Sequence, residues 1–191
     1  MRVLVVDESA EQAEVLSAAL LHAGYEVTAS LSSPLALLKT IERVQPEVIV
    51  IDTASPSRDV LEHLAMMSRH TPRPVVMFSA DGDPETIRAA TRAGVSAYVV
   101  HGISAGKIEP IVNAAIARFE ELQALRGQLA EASLKLAERK LIERAKGMLM
   151  KSRQLSEDAA YTALRKAAMD RNLKISEVAQ RIVDAADLFG A

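Results

Sequence analysis

The sequence predicts a two-part chain: an α/β domain built on a doubly wound, parallel, five-stranded sheet, followed by a long helix and an all-α three-helix bundle. Three observations carry this. From residue 1 to about 118, short β-branched runs alternate with amphipathic helical stretches, the pattern of βα units on a parallel sheet. From about Lys107 to about Ser152 the pattern is helical without a break. Positive charge then gathers near the carboxyl end: between Arg139 and Lys174, ten Lys/Arg stand against four acids, a local balance of +6 in a chain of formal net charge −2. The remainder therefore carries about −8, and a split of this kind points to an anionic partner for the basic end.

The five expected strands are Arg2–Val6, Tyr25–Ser30, Val48–Ile51, Val75–Ser79 and Ala97–Val100. Between them the helices carry their own punctuation. Ser9 and Gln12 make a capping-box-like start before Val15–Leu21, and Gly24 stands where a helix-ending glycine belongs. Asp83-Pro84-Glu85 supplies an N-cap, a first-turn proline and an acid ahead of Thr86–Arg92, closed by Gly94.

In the long helix, Ile108, Val112, Ala115, Phe119, Leu122, Arg126, Leu129, Ser133 and Leu136 follow the 4-3 spacing of a heptad seam. Because Arg126, Ser133 and Lys140 occupy other core positions, the seam suits a dimer better than a free-standing zipper. Residues 119–138 are accordingly read as a helical dimerisation linker between a domain at 1–118 and a bundle at 139–191. The alternative is one amphipathic helix lying on its own domain. Ser156-Glu157-Asp158 caps the next helix, which Asn172 ends, and Ser176-Glu177 caps the last, running to about Leu188. A bundle of about 50 residues is small for independent stability, and a partner chain would help it.

Composition excludes several functions. The chain has no cysteine, hence no disulfide, Cys-zinc site or thiol catalysis. Aromatics are 3% with no tryptophan, which argues against a broad base-stacking surface. No apolar run approaches the roughly 20 residues of a membrane helix, and Met1-Arg2-Val3-Leu4 enters a strand with no signal-peptide pattern, so the expectation is a cytoplasmic protein without a membrane partner.

In a doubly wound sheet, function gathers beyond the carboxyl ends of the strands. The residues there are Asp7 and Glu8, then Asp52, Ser79 and His101. Three carboxylates in one crevice repel one another unless a divalent cation neutralises them, and oxygen ligands suit Mg²⁺. A carboxylate able to take a phosphoryl group beside Mg²⁺ is an arrangement for covalent group transfer. An acid after a strand often does no more than cap the next helix. That account suffices for Asp7 alone but not for the four residues Asp7, Glu8, Asp52 and Ser79 together.

On these residues the chain resembles response-regulator receiver domains, whose fold is flavodoxin-like. Leu4-Val5-Val6-Asp7-Glu8 is similar to their acidic-pair strand, and Val50-Ile51-Asp52 with Pro56 four residues on is similar to their phosphoacceptor strand. Val76-Met77-Phe78-Ser79-Ala80 is similar to the fourth strand with its hydroxyl residue. The resemblance implies Asp52 as phosphoacceptor, Asp7, Glu8 and Asp52 as Mg²⁺ ligands, and Ser79, Tyr98 and His101 at the switch positions. One departure stands out: where the family carries lysine followed by proline, this chain reads His101-Gly102. A histidine is shorter and mostly neutral near pH 7, so it does not replace the permanent charge of lysine. The input is therefore read as either phosphoryl transfer from a histidine kinase or binding by a sensor protein.

The carboxyl-terminal segment resembles the ANTAR domain, the RNA-binding antiterminator module of the AmiR/NasR type, on Ala145-Lys146-Gly147-Met148-Leu149-Met150, Ala159-Ala160-Tyr161-Thr162-Ala163-Leu164-Arg165 and Val178-Ala179. Details of the first domain look most like nitrate-assimilation antiterminators of the NasT type. The resemblance implies a regulator, not an enzyme, that takes no small-molecule substrate. It would bind hairpins in leader transcripts as a homodimer and prevent a terminator from forming. Lys146, Lys151, Arg153, Arg165 and Lys166 around the junction of the first two bundle helices are the candidate phosphate contacts. Tyr161 is a candidate base contact, or else a core residue with a wet hydroxyl. Gly147, costly inside a helix, suggests close approach of another helix or of RNA backbone. A solvated basic face that binds nothing, a DNA-binding helix-turn-helix and a protein-binding adaptor are the other readings. The DNA reading places a recognition helix after Ser176, where Gln180 and Arg181 face Glu177, Asp184 and Asp187, a poor charge for a major groove.

Overall fold

The computed structural model describes residues 1–33, 36–100 and 105–189. Five parallel strands, β1 (Arg2–Asp7), β2 (Glu26–Leu31), β3 (Val48–Thr53), β4 (Val75–Ser79) and β5 (Ala97–Val100), pair in the order β2-β1-β3-β4-β5. Each expected strand is present within a residue or two.

Strand alternation sorts the apolar residues onto two faces. Leu4, Val6, Ile49, Ile51, Val75 and Met77 pack with Leu37 and Ile41 of α2 (Leu37–Val44) and Leu64 and Met67 of α3 (Arg58–His70). Val3, Val5, Val48, Val50, Val76 and Phe78 pack with Leu16 and Leu20 of α1 (Ala10–His22) and with Ile108, Val112 and Ala115 of α5 (Ile108–Arg153). Because helices cover both faces, β1, β3 and β4 read as continuous apolar runs rather than alternating ones.

The expected caps position the loops. The Ser9 hydroxyl accepts from Gln12 N, and Asp83 accepts from Glu85 N and Thr86 N at the start of α4 (Pro84–Ala93). At the end of α4, Gly94 is left-handed at φ 108°, and an added Cβ would stand 2.7 Å from the Ser68 hydroxyl. Any side chain there would be strained in backbone and would push α4 away from α3.

The seam of α5 divides. Ile108, Val112 and Ala115 are buried on the sheet, whereas every residue from 124 to 137 is exposed. A helix lying along its own domain is thus correct for the first three turns only. Leu122, Leu129 and Leu136, seven apart, are 43%, 69% and 55% exposed.

The chain divides into two compact units at Gln123/Ala124. In the second, the end of α5 packs with α6 (Glu157–Arg171) and α7 (Ile175–Phe189) around Ala145, Leu164, Ala168, Val178, Ala179 and Val183. Ser156 caps α6 by accepting from Ala159 N, and Asn172 ends it in the left-handed conformation at φ 51°. One cap differs from expectation: α7 begins at Ile175, so Ser176 lies inside it. Glu177 reaches back to accept from Lys174 N at 2.7 Å, the acid half of a capping box, while the Ser176 hydroxyl bonds Glu138 of α5. Among the described residues no helix is long and apolar enough to cross a membrane.

Candidate functional site

The sheet register brings the acids together. Asp7 stands opposite Asp52 in the β1/β3 pairing, and Thr53 stands opposite Ser79 in the β3/β4 pairing. Asp7 is buried and Asp52 half-buried. Asp7 Oδ1 accepts from Ser9 N at 2.8 Å, but its Oδ2 is buried without a hydrogen-bond partner. Burial pushes the Asp7 carboxyl above the ordinary aspartate range, and the neighbouring Glu8 adds to the rise. Burial raises Asp52 likewise, with the Asp7 charge as the second cause.

Two raised carboxyls facing across a strand pair, one with an orphaned buried oxygen, fit a cation. Among the described residues, however, no three acids or histidines stand close enough to hold a metal together. Of the expected group Asp7, Glu8 and Asp52, the register pairs Asp7 with Asp52, whereas β1 ends at Asp7 and Glu8 beyond it is exposed. The pair still suits Mg²⁺, which keeps several waters and needs only one or two carboxylates.

Ser79 is buried, donates from its hydroxyl to Ala54 O at 3.1 Å and accepts from Asp81 N at 3.1 Å. Tyr98 is half-buried and donates to Asp81 O at 2.8 Å. His101 lies outside the described residues. Two residues that sequence reasoning passed over join this network. The Ser55 hydroxyl donates to Asp81 Oδ2 at 2.7 Å, and Asp81 Oδ1 accepts from Asp83 N, the residue that caps α4. Asp81 therefore ties together the loops after β3 and β4, the strand β5 and the start of α4. The bond from Ser55, with those from Asp83 N and Thr86, holds its carboxyl below the usual range. The available signal was the Asp81-Gly82-Asp83-Pro84 run, an Asx turn leading into an N-cap.

In the second unit the candidate cations separate into two kinds. Lys151, Arg153, Arg165 and Lys166 are exposed and make no ion pair among the described residues. Tyr161 is 43% exposed on α6, which rules out a core role. Lys146 differs. Its side chain is only 9% exposed, and its ammonium contacts Glu143 Oε2 at 3.0 Å and Glu157 Oε1 at 2.7 Å. The hydrogen bonds from Glu157 and Glu143 raise the Lys146 pKa, and Lys146 holds Glu157 below the usual range. Lys146, expected as an RNA contact, forms in this structure an internal clasp between α5 and the start of α6. No other helix among the described residues comes close to Gly147, since a Cβ built there meets nothing within 4 Å.

A parallel α/β unit with paired acids at the ends of its strands is of the receiver class. Among solved structures it is similar to a CheY-like response regulator receiver domain protein from Methanospirillum hungatei, with a TM-score of 0.55 and 20% identity over 63% of this chain and 96% of that one. It is also similar to the response regulator domain of CheB from Thermotoga maritima, with a TM-score of 0.53 and 27% identity over 61% and 96%. Residues 3–113 match the response regulator receiver domain family, and residues 130–183 match the ANTAR domain. The chain belongs to the response regulators that join a receiver domain to a carboxyl-terminal ANTAR domain. The transcriptional regulatory protein PdtaR of Mycobacterium tuberculosis is 30% identical over 96% of this chain and 89% of its own length. A nitrate regulatory protein of Klebsiella oxytoca is 46% identical over 69 residues, 36% of this chain and 17% of its own.

Proposed function

We propose that this chain is a cytoplasmic regulator that binds hairpins in leader transcripts through its ANTAR bundle and causes transcription antitermination, under control of its receiver domain. The observation that carries this reading is the set of unpaired cations Lys151, Arg153, Arg165 and Lys166, with the exposed Tyr161, on the end of α5 and on α6. Phosphates need such free donors, and an exposed tyrosine can meet a looped-out base. The basic segment falls within the ANTAR match. Similarity to a nitrate regulatory protein makes the leader of a nitrate-assimilation operon the first RNA to test.

Input arrives at the receiver domain in one of two forms. In the phosphoryl-transfer form, an Asp52 oxygen attacks the phosphorus of a phosphohistidine on a kinase, and the donor's P–N bond breaks. Asp7 and Asp52 would hold Mg²⁺, with Glu8 at the outer edge, and the ion would supply positive charge against the entering phosphoryl group. Ser79 turns its hydroxyl from Ala54 O toward that group, which shifts Asp81 and, through it, Tyr98 and the cap of α4. In the sensor form, a bound protein holds the same network without phosphate. The exposed Leu122, Leu129 and Leu136 of residues 119–138 serve as the dimer seam when the protein is active.

Filter binding of the purified chain to the leader RNA tests the output. Arg165→Ala and Lys151→Ala each weaken binding and lower its salt dependence, and retention of wild-type affinity by both defeats the proposal. In cells, Asp52→Asn separates the inputs: lost regulation supports phosphoryl transfer, whereas unchanged regulation assigns control to a sensor protein.

A further inference from the structure

The three bundle helices enclose an open groove of about 450 Å³. Its floor is apolar, with Leu149 from α5, Leu164 from α6, and Val178 and Ile182 from α7. Each helix also contributes one arginine to its rim: Arg153 from α5, Arg171 from α6 and Arg181 from α7. All three are exposed, none makes an ion pair or hydrogen bond among the described residues, and no acid lines the groove. This contrasts with Arg144 nearby, whose guanidinium is taken by Asp187 at 2.6 Å. Three uncompensated guanidiniums around an apolar floor are complementary to a ligand with a flat apolar body and anionic edges.

We infer that this groove receives an unpaired RNA base, its ring on the apolar floor and its flanking phosphates on Arg153, Arg171 and Arg181. The inference rests on the RNA-binding reading and adds to it a second contact surface. In α6, Ala163, Ala167 and Arg171 run at four-residue spacing along the groove flank, whereas Tyr161 and Arg165 run along the other flank. A hairpin seated across α6 thus has cations on both sides. The small side chains of Ala163, Ala167 and Ala185 leave the room that a planar ring occupies. No aromatic residue lines the groove, so the face of the ring rests on the aliphatic floor of Leu149, Leu164, Val178 and Ile182. An amphipathic peptide helix fits less well, since it needs a long trough for anchors at successive turns and brings no phosphates to the three guanidiniums of the rim.

The test uses the full chain and two probes: a hairpin RNA library with a randomised loop, and the same stem as a closed duplex. Binding is measured as a function of salt, with and without acetyl phosphate and Mg²⁺. Ala167→Leu, which fills the groove, is expected to weaken hairpin binding about tenfold or more while leaving duplex binding and helical content unchanged, as expected if one base contact is lost. Arg171→Ala and Arg181→Ala, whose side chains hold nothing in the fold, each lower the salt slope for the hairpin by about 0.7 to 1. Hairpin binding by the wild-type chain that all three variants retain in full overturns the groove assignment and leaves the RNA reading standing. Absence of hairpin binding by the wild-type chain, in either state, overturns both. Groove-dependent capture of an acidic helical peptide without RNA binding replaces RNA with protein as the occupant.

Discussion

The two units reach stability by different routes. The receiver sheet buries clusters of fourteen and twelve residues, one on each face, dominated by Val, Ile and Leu. Among the described residues the cluster of the ANTAR bundle has six, of which Ala145, Ala168 and Ala179 are alanines. Alanine brings helices close but removes little apolar area from water. The bundle therefore depends more on its caps and on the Lys146 clasp, and the receiver more on sheer burial. A unit with little reserve is also the one whose packing a bound partner can most easily complete.

The same truncation in each unit tests this most directly. Leu64→Ala in the receiver and Leu164→Ala in the bundle both remove a fully buried leucine, and each is expected to cost about 2–5 kcal/mol. Chemical denaturation followed by circular dichroism should show the receiver still folded with a lower midpoint, and the bundle without a cooperative transition. A Leu164→Ala bundle that keeps its transition breaks the contrast.

The clasp comes next. Lys146→Met removes the partner of Glu143 and Glu157, and heating in low salt should melt the bundle earlier while the receiver transition stays in place. In the wild-type chain the clasp also sets a pH window. Glu157 is held low, so its contribution is present above the ordinary glutamate range and disappears as pH falls through its folded value. Lys146 is held high, so its contribution lasts through neutrality and is lost only as pH rises through its folded value. The acid pair behaves in the opposite sense. Asp7 and Asp52 are raised, so the folded receiver holds their protons more tightly and loses stability as pH climbs through that window. Mild acidification should therefore stabilise the receiver, and further acidification should weaken the bundle. Differential scanning calorimetry across pH resolves the two transitions.

How much of this was legible in the sequence follows from the kind of signal involved. Strand boundaries and the caps at Ser9, Asp83 and Ser156 were readable because each is a local preference that one or two residues decide. The position of Asp7 beside Asp52 was readable because parallel order places strand ends together. The pairing of Lys146 was not legible because charge type is visible in sequence and pairing is not: Glu157 lies eleven residues on, across the turn between two helices. Arg171 and Arg181 were not grouped with Arg153 for a similar reason. Each sits in a different helix, and only packing brings them to the rim shared with Arg153. The link through Asp81 required knowing that Ser55, 26 residues earlier, reaches it.

A smaller effect probes the acid pair. Asp52→Asn removes one of two facing carboxylates at nearly constant shape, so the receiver should melt a few degrees higher near neutral pH. Added Mg²⁺ should raise the midpoint of the wild-type chain and leave that of Asp52→Asn nearly unmoved. A substitution that lowers the midpoint shows that the pair is not strained, and removes the basis for a cation between Asp7 and Asp52.

The smallest effect returns to the contrast in reserve. Ser57 caps α3 in the receiver and Ser156 caps α6 in the bundle, each accepting one backbone N–H. Ser57→Ala and Ser156→Ala should each cost about 1 kcal/mol, since the lost bond is the same. The consequences should still differ. Against two large apolar clusters the change only lowers a midpoint, but α6 also presents Glu157 to Lys146, so loosening its first turn loosens the clasp. Combining Ser156→Ala with Lys146→Met should therefore cost less than the sum of the two, because both act on one contact between α5 and α6. The pair Ser57→Ala and Lys146→Met, in separate units, should add. Additivity in both cycles would mean that the cap and the clasp are independent, and that the bundle has more reserve than its alanine core suggests.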